Sequence, residues 1–437
     1  MKNRLYFGFL AIVIFSIGCQ TLSRWMAPPL ALPPPAQTAT VRASQIGTST
    51  LPLPTAKQLS IFEELWQIVR EEYLYPDYNG ADWDAIGVEY RQRVQAGLTP
   101  EAFYQAMDEM LAELNDDHSV FLSPAEAAEE DAVFAGETNY VGIGVLTREV
   151  PERQRATIIL VFPNSPAAEA GLQSHDNILS VNGQAVLDEA GLLRTDLVLG
   201  PAGTALELVV QSPGQSPRTL TIVRRAIQGP LPVPYTLLNT PNGKRIGYLL
   251  LTSLADLTID DQVEEALREM SQPSPLDGLI LDNRQNSGGH ETVARGVLSL
   301  FTKGRLGYFT NRHQERRWFE VRGKNVAGSA NLPLVVLIGK DTVSFGEILS
   351  GILQDQKRAY LIGTPTEGNI EFLRSYGFGD GSRAWIAHAT FYPINNSQQD
   401  WEKNGIQPDL VISSNWDEVT LATDPVIQAA LEYFDQP

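Results

Sequence analysis

The sequence predicts a multidomain α/β protein in which an N-terminal helical segment, a β-rich domain and an α/β core follow one another. Three observations carry this. The 437 residues correspond to two or three domains at roughly 150 residues each. Hydrophobic periodicity changes along the chain, from helical spacing over 58–125, to short β-rich runs over 138–226, to apolar runs alternating with helical patterns from Arg245 onward. A composition of 43% hydrophobic and 19% charged residues belongs to a folded chain and excludes wholesale disorder or a multispan membrane protein.

Lys2 and Arg4 precede an apolar run from Leu5 to Ile17, the length of a signal-peptide core and shorter than a membrane span. The run ends Ser16-Ile17-Gly18-Cys19, which resembles a bacterial lipobox. That resemblance implies lipidation of Cys19 and an extracytoplasmic protein anchored to the membrane; an ordinary signal peptide with a chance Cys also implies export. Pro28, Pro29, Pro33, Pro34, Pro35, Pro52 and Pro54 mark a tether that cannot pack a core. The expected divisions are a leader over 1–19, a tether over 20–57, the helical segment over 58–130, the β-rich domain over 131–226 and the core over 227–437. All 52 acidic residues lie beyond Phe62, whereas five of the 33 basic ones precede it, so the folded part is more acidic than the net charge of −19. Such a surface repels phosphate backbones, and no nucleic-acid partner is expected. With Cys19 the only Cys, disulfide frameworks, Cys-rich zinc sites and iron–sulfur clusters are excluded.

In the helical segment, Phe62, Leu65, Trp66 and Val69 share one face. A second helix is expected to start at Thr99-Pro100-Glu101, with Thr as N-cap, Pro at the first helical position and Glu at the positive end. In the β-rich domain, Gly142-Ile143-Gly144-Val145, Ser165-Pro166-Ala167-Ala168 through Leu172, Asp176-Asn177-Ile178-Leu179 and Gly200-Pro201-Ala202-Gly203-Thr204 together resemble a PDZ domain. The resemblance implies that backbone N–H groups around Gly142, Ile143 and Gly144 hold the carboxylate of a polypeptide's free C-terminus beside an open strand edge.

Leu334–Ile338 reads as a buried strand that leads through Gly339-Lys340-Asp341-Thr342-Val343 to Ser344, after which Phe345–Leu353 looks helical. A serine at a strand-to-helix turn is either an N-cap or an exposed nucleophile beside helix-terminal N–H groups. Asp282-Asn283-Arg284-Gln285-Asn286-Ser287-Gly288-Gly289 follows another apolar run, and its paired glycines let backbone N–H groups approach a carbonyl. With Gly405-Ile406-Gln407-Pro408-Asp409 near the end, the whole pattern over ~58–412 resembles the C-terminal processing (tail-specific) serine proteases. The resemblance implies a crotonase-like core, Ser344 as nucleophile, Gly288, Gly289 and Phe345 as oxyanion donors, polypeptide substrates, and no metal or cofactor.

In the usual members a Lys base follows in a Thr-x-Gly-Lys-Gly turn; here the stretch is Thr366-Glu367-Gly368-Asn369-Ile370. An amide has no basic nitrogen near neutral pH, so Asn369 rules out a Ser–Lys dyad at that position. Of the five histidines, His175 and His313 are expected to be solvated, His388 to be packed or near the site, and His290 to be a candidate site residue after Gly289. His118, in Asn115-Asp116-Asp117-His118-Ser119, is similar to the histidine of the tricorn-type relatives, which use Ser–His–Glu. That resemblance implies a triad of Ser344, His118 and Glu402. The alternatives are His290 as base, or a catalytically inactive peptide-binding protein.

Overall fold

The computed structural model of the chain describes residues 53–116 and 118–436. The expected leader, Cys19 and the tether as far as Pro52 lie outside the described residues. Helices Thr55–Glu72, Trp83–Gln95 and Pro100–Ala112 come first. As the sequence predicts, the Thr99 hydroxyl accepts a hydrogen bond from Ala102 N–H at 3.2 Å, with Pro100 at the first position. Ile61, Phe62, Leu65 and Val69 turn inward onto Phe103, Met107 and Leu111. The same cluster takes in Trp385, Ile386 and Ala387 of the long strand Arg383–Pro393. Strand Val120–Leu122 then pairs antiparallel with that long strand, Val120 opposite Trp385. The helical segment and the C-terminal core therefore share a hydrophobic cluster and a sheet, although they are far apart in sequence.

The β-rich domain has a sheet of order Val145–Val150, Arg155–Val161, Asn177–Val181, Ala205–Gln211, Arg218–Val223. Its core includes Ile158, Ile178, Val181, Leu206, Leu208 and Val210; Leu206, Leu208 and Val210 alternate with period two, while a register shift between Ile178 and Ser180 lets Ile178 and Val181 both turn inward. Val145–Val150 lies at one edge of the sheet.

The core is built on a six-stranded sheet, in order Tyr235–Asn239, Arg245–Leu250, Gly278–Asp282, Leu334–Ile338, Tyr360–Gly363, Leu410–Val411. All neighbours are parallel except the first pair. Both faces are covered, which is why these strands read as continuous apolar runs. Leu279, Leu281, Val336 and Ile338 face helices Ile259–Met270, Glu291–Phe301 and Phe345–Asp355. Ile280, Val335, Leu337 and Ile362 face helix Pro425–Asp435. A second sheet, built around Arg383–Pro393 and Gly304–Asn311, lies beyond the first helical layer. The loops that follow three adjacent parallel strands emerge at one end, where open α/β sheets place their sites.

Candidate active site

The first loop is braced from below. Arg284 pairs with Asp282 at 2.6 Å and with Asp424, the N-cap of the last helix, at 2.7 Å; it is a structural strut. Asn286 accepts a hydrogen bond from Gly288 N–H at 2.8 Å, and its backbone carbonyl accepts one from Val343 N–H at 2.9 Å. Asn283 donates to the carbonyl of Gly346 at 2.8 Å. The glycine loop is thus bolted to the turn that carries Ser344.

Ser344 has φ 56° and ψ −125°, left-handed backbone that costs a non-glycine residue of order 1–3 kcal/mol and persists only where its surroundings enforce it. Glu347, fully buried, supplies that enforcement. Its carboxylate accepts from Ser344 N–H at 3.1 Å and from Gly368 N–H at 3.0 Å, so it joins the serine turn to the 364–371 loop. Burial pushes the Glu347 carboxyl up to about 7, against the lowering effect of its hydrogen bonds. Gly288 packs directly on the serine: a Cβ there would lie 2.6 Å from Ser344 Cβ. Of the three expected oxyanion donors, Gly288 has its N–H engaged by Asn286. The N–H groups of Gly289 and Phe345 have no acceptor among the described residues.

His118 leaves the helical segment in a turn capped by Asp116, whose Oδ1 accepts from His118 N–H at 3.0 Å and from Ser119 N–H at 2.7 Å. Ser119 in turn accepts from Ala387 N–H at 3.1 Å, which fixes this turn on the long strand. The His118 ring is buried with its Nε2 3.0 Å from Glu371 Oε2 and 3.6 Å from Glu402 Oε1. Burial alone would lower the imidazole's pKa, but the two carboxylates outweigh it and hold the pKa well above the ordinary value. Burial also raises Glu402, yet His118 and the N–H groups of Ile370 and Glu371 bring it below the usual carboxylate value. Glu402 Oε2 accepts from Ile370 N–H at 2.8 Å. Among the described residues no hydrogen bond joins His118 to Ser344, and His118 Nδ1 has no partner.

The other histidines are engaged elsewhere or exposed. His290 is the N-cap of helix Glu291–Phe301, its Nδ1 accepting from Thr292 N–H at 3.3 Å. His388 lies 3.5 Å from Glu72. His175, expected to be solvated, is instead buried and stacked on Trp416 at 4.1 Å between centroids, because the PDZ-like domain packs there on the core. His313 is exposed. Asn369 is half-buried beside the cleft.

Sequence reasoning missed Glu371 and Tyr75. Glu371 Oε1 accepts a hydrogen bond from the Tyr75 hydroxyl, which lies 296 residues away in sequence. The signal for it was a carboxylate set between the apolar Ile370 and Phe372, since a charge inside a buried run is a site candidate. Among the described residues, His118, Glu371 and Glu402 form the one group whose ligand atoms could converge on a metal ion, all within 4.8 Å of one another. A protonated His118 offsets part of the two carboxylates' charge without an ion.

A cleft of about 2770 Å³ runs past His118, Glu371, Glu402, Val343 and Glu347 to Arg148, Glu149 and Val150 on the edge strand of the β-rich domain. At the start of that strand, the Ile143 carbonyl accepts from Ala167 N–H and the Gly144 carbonyl from Phe162 N–H. The N–H groups of Ile143 and Gly144 have no acceptor among the described residues. Gly144 has φ +82°, and a Cβ there would meet Ser165 Cβ at 2.3 Å, so only glycine fits this loop.

Residues 245–412 match peptidase family S41, residues 54–112 the tricorn protease C1 domain, and residues 157–212 a PDZ domain. A carboxyl-terminal-processing protease of Synechocystis sp. is 29% identical over 396 residues, covering 89% of each chain. The solved structure of a photosystem II D1 C-terminal processing protease is similar, with TM-score 0.54 and 26% identity over 81% of this chain and 92% of that one. An S41 protease from Bacteroides fragilis shares the fold, with TM-score 0.57, 18% identity, and 85% and 97% coverage.

Proposed function

Because the chain belongs to the C-terminal processing serine proteases, a serine-type peptidase core joined to a PDZ domain, we propose that it is an exported endopeptidase that cuts polypeptides presented by their C-terminal tails through a Ser344–His118–Glu402 mechanism. The tail carboxylate sits on the N–H groups around Gly142, Ile143 and Gly144, and the peptide adds as a strand along Val145–Val150. That edge opens into the cleft that holds His118.

The observation that carries this reading is the placement of His118. It is the one histidine, among the described residues, whose ring sits between carboxylates in the cleft. Since Nε2 faces those carboxylates, Nδ1 is the nitrogen that takes the Ser344 proton as Oγ attacks the scissile carbonyl. Glu402 stabilises the imidazolium, and the proton then passes to the leaving amine. The N–H groups of Gly289 and Phe345 receive the oxyanion. Asn369 supplies no base; its turn acts through its backbone and through its neighbour Glu371. Cys19 anchors the protein to the membrane as a lipoprotein, and mass spectrometry of the mature N-terminus checks that step.

One observation favours a second reading, a peptide-holding protein without catalysis: among the described residues no hydrogen bond joins His118 to Ser344. Labelling by a serine-directed fluorophosphonate separates the two. An active site labels the native protein and not Ser344→Ala, whereas equal labelling or none in both favours the non-catalytic reading.

A further inference from the structure

We infer that Glu371, fixed by the Tyr75 hydroxyl, is the positioning residue that holds the His118 ring at Nε2, with Glu402 as the second carboxylate. This rests on the proposed Ser344–His118 chemistry and extends it from a triad to a relay of Ser344, His118, Glu371, Glu402 and Tyr75.

Three features of the geometry point to Glu371, and a fourth ties both glutamates to His118. Its carboxylate is nearer the ring than that of Glu402, 3.0 against 3.6 Å. Its side chain is 3% exposed, against 23% for Glu402, so its interaction with the imidazolium is less screened by water. Its two oxygens have separate roles: Oε1 accepts from Tyr75, while Oε2 is buried, makes no aligned hydrogen bond among the described residues, and has His118 Nε2 3.0 Å away as its ion-pair partner. Glu402 likewise commits one oxygen, Oε2, to the backbone of Ile370, but its Oε1 lies farther from the ring and its side chain is more exposed. Finally, neither glutamate pairs with Lys or Arg among the described residues, so His118 is the cation at hand to offset a carboxylate that would be costly to bury alone.

A single N–H at Nε2 cannot serve both carboxylates fully. The ring angle, and with it the aim of Nδ1, is therefore set by the carboxylate that wins. The groups facing the ring are Glu371 on the strand side, Glu402 on the short helix Trp401–Asn404, and Tyr75 behind Glu371, while Asp116 holds the ring's own backbone.

The decisive experiment follows the His118 ring by NMR of histidine-labelled, full-length protein carrying Ser344→Ala, where catalysis plays no part. The His118 signal is assigned by its loss in His118→Ala. Glu371→Gln should move the His118 titration midpoint down by about one unit or more, and further than Glu402→Gln does. Tyr75→Phe should move it up, because a carboxylate stripped of its donor holds the imidazolium more strongly. With Ser344 intact, Glu371→Gln should lower kcat at least tenfold with little change in KM. An unmoved midpoint in Glu371→Gln, or a shift smaller than that of Glu402→Gln, overturns the inference. Should Glu371→Gln not fold, Tyr75→Phe decides: an upward shift supports the inference and any other result overturns it. Failure of the parent reading looks different, as a His118→Ala protein that still cleaves peptide.

Discussion

Burial and charge act on the His118 ring in opposite directions, and the charges win. A raised pKa means that the ring is cationic over more of the pH range and cannot take the Ser344 proton there. The acid limb of kcat/KM against pH is therefore expected above about 6.5, the ordinary imidazole value. Glu347 titrates nearby, at about 7, but both its oxygens accept backbone N–H groups that hold turns together. Glu347→Gln should accordingly lower the melting temperature more than it moves this limb. The same linkage affects stability. A raised folded-state pKa contributes stability that is fully present below about 6.5 and lost as pH rises through the folded value. The pH range of greatest activity is thus one in which the His118 contribution to folding is fading.

Two turns hold the elements of the site together, and each gives a prediction. Gly288 has φ +82° and no room for a side chain against Ser344, so Gly288→Ala should abolish most of the activity while the melting temperature falls by only a few degrees, measured by peptide hydrolysis and circular dichroism. The 364–371 turn meets Glu347, Glu402 and His118 through the N–H groups of Gly368 and Ile370 and the Glu371 side chain, and on the proposed mechanism Asn369→Ala should retain far more activity than Ser344→Ala. Much at this scale was legible in the sequence. The parallel strands read as apolar runs because both faces are covered, and Ser344 stood out at a strand-to-helix turn. Glu402 was reached through resemblance alone. Glu371 was not reached, because its role depends on where strand Phe372–Gly377 starts and on a tyrosine brought in from the helical segment at the other end of the chain. His175 was misjudged for a similar reason: packing on Trp416 is a property of the docked domains, which local polarity does not disclose.

Across the whole molecule, Arg148 on the PDZ edge strand forms an ion pair with Asp341 of the loop leading to Ser344, and reaches Gln285 of the glycine loop at 3.4 Å. One side chain thus ties the edge strand of the PDZ domain to both loops that carry the proposed site. Arg148→Ala should lower kcat/KM for tail-bearing peptides several-fold while leaving their affinity for the PDZ domain intact, as read by comparing kinetics with binding to the Ser344→Ala protein. The central claim is that chain folding brings His118 from the first helical segment to serve a serine 226 residues later, by subtraction of their positions. It is tested most directly by the hydrolysis rate of a quenched-fluorescent peptide with a free C-terminus, measured for native protein, Ser344→Ala, His118→Ala and the double variant. The account predicts a loss of about a thousandfold or more in each single variant and little further loss in the double, as for groups that act as a unit. A His118→Ala protein that is folded and keeps most of the native rate would contradict it.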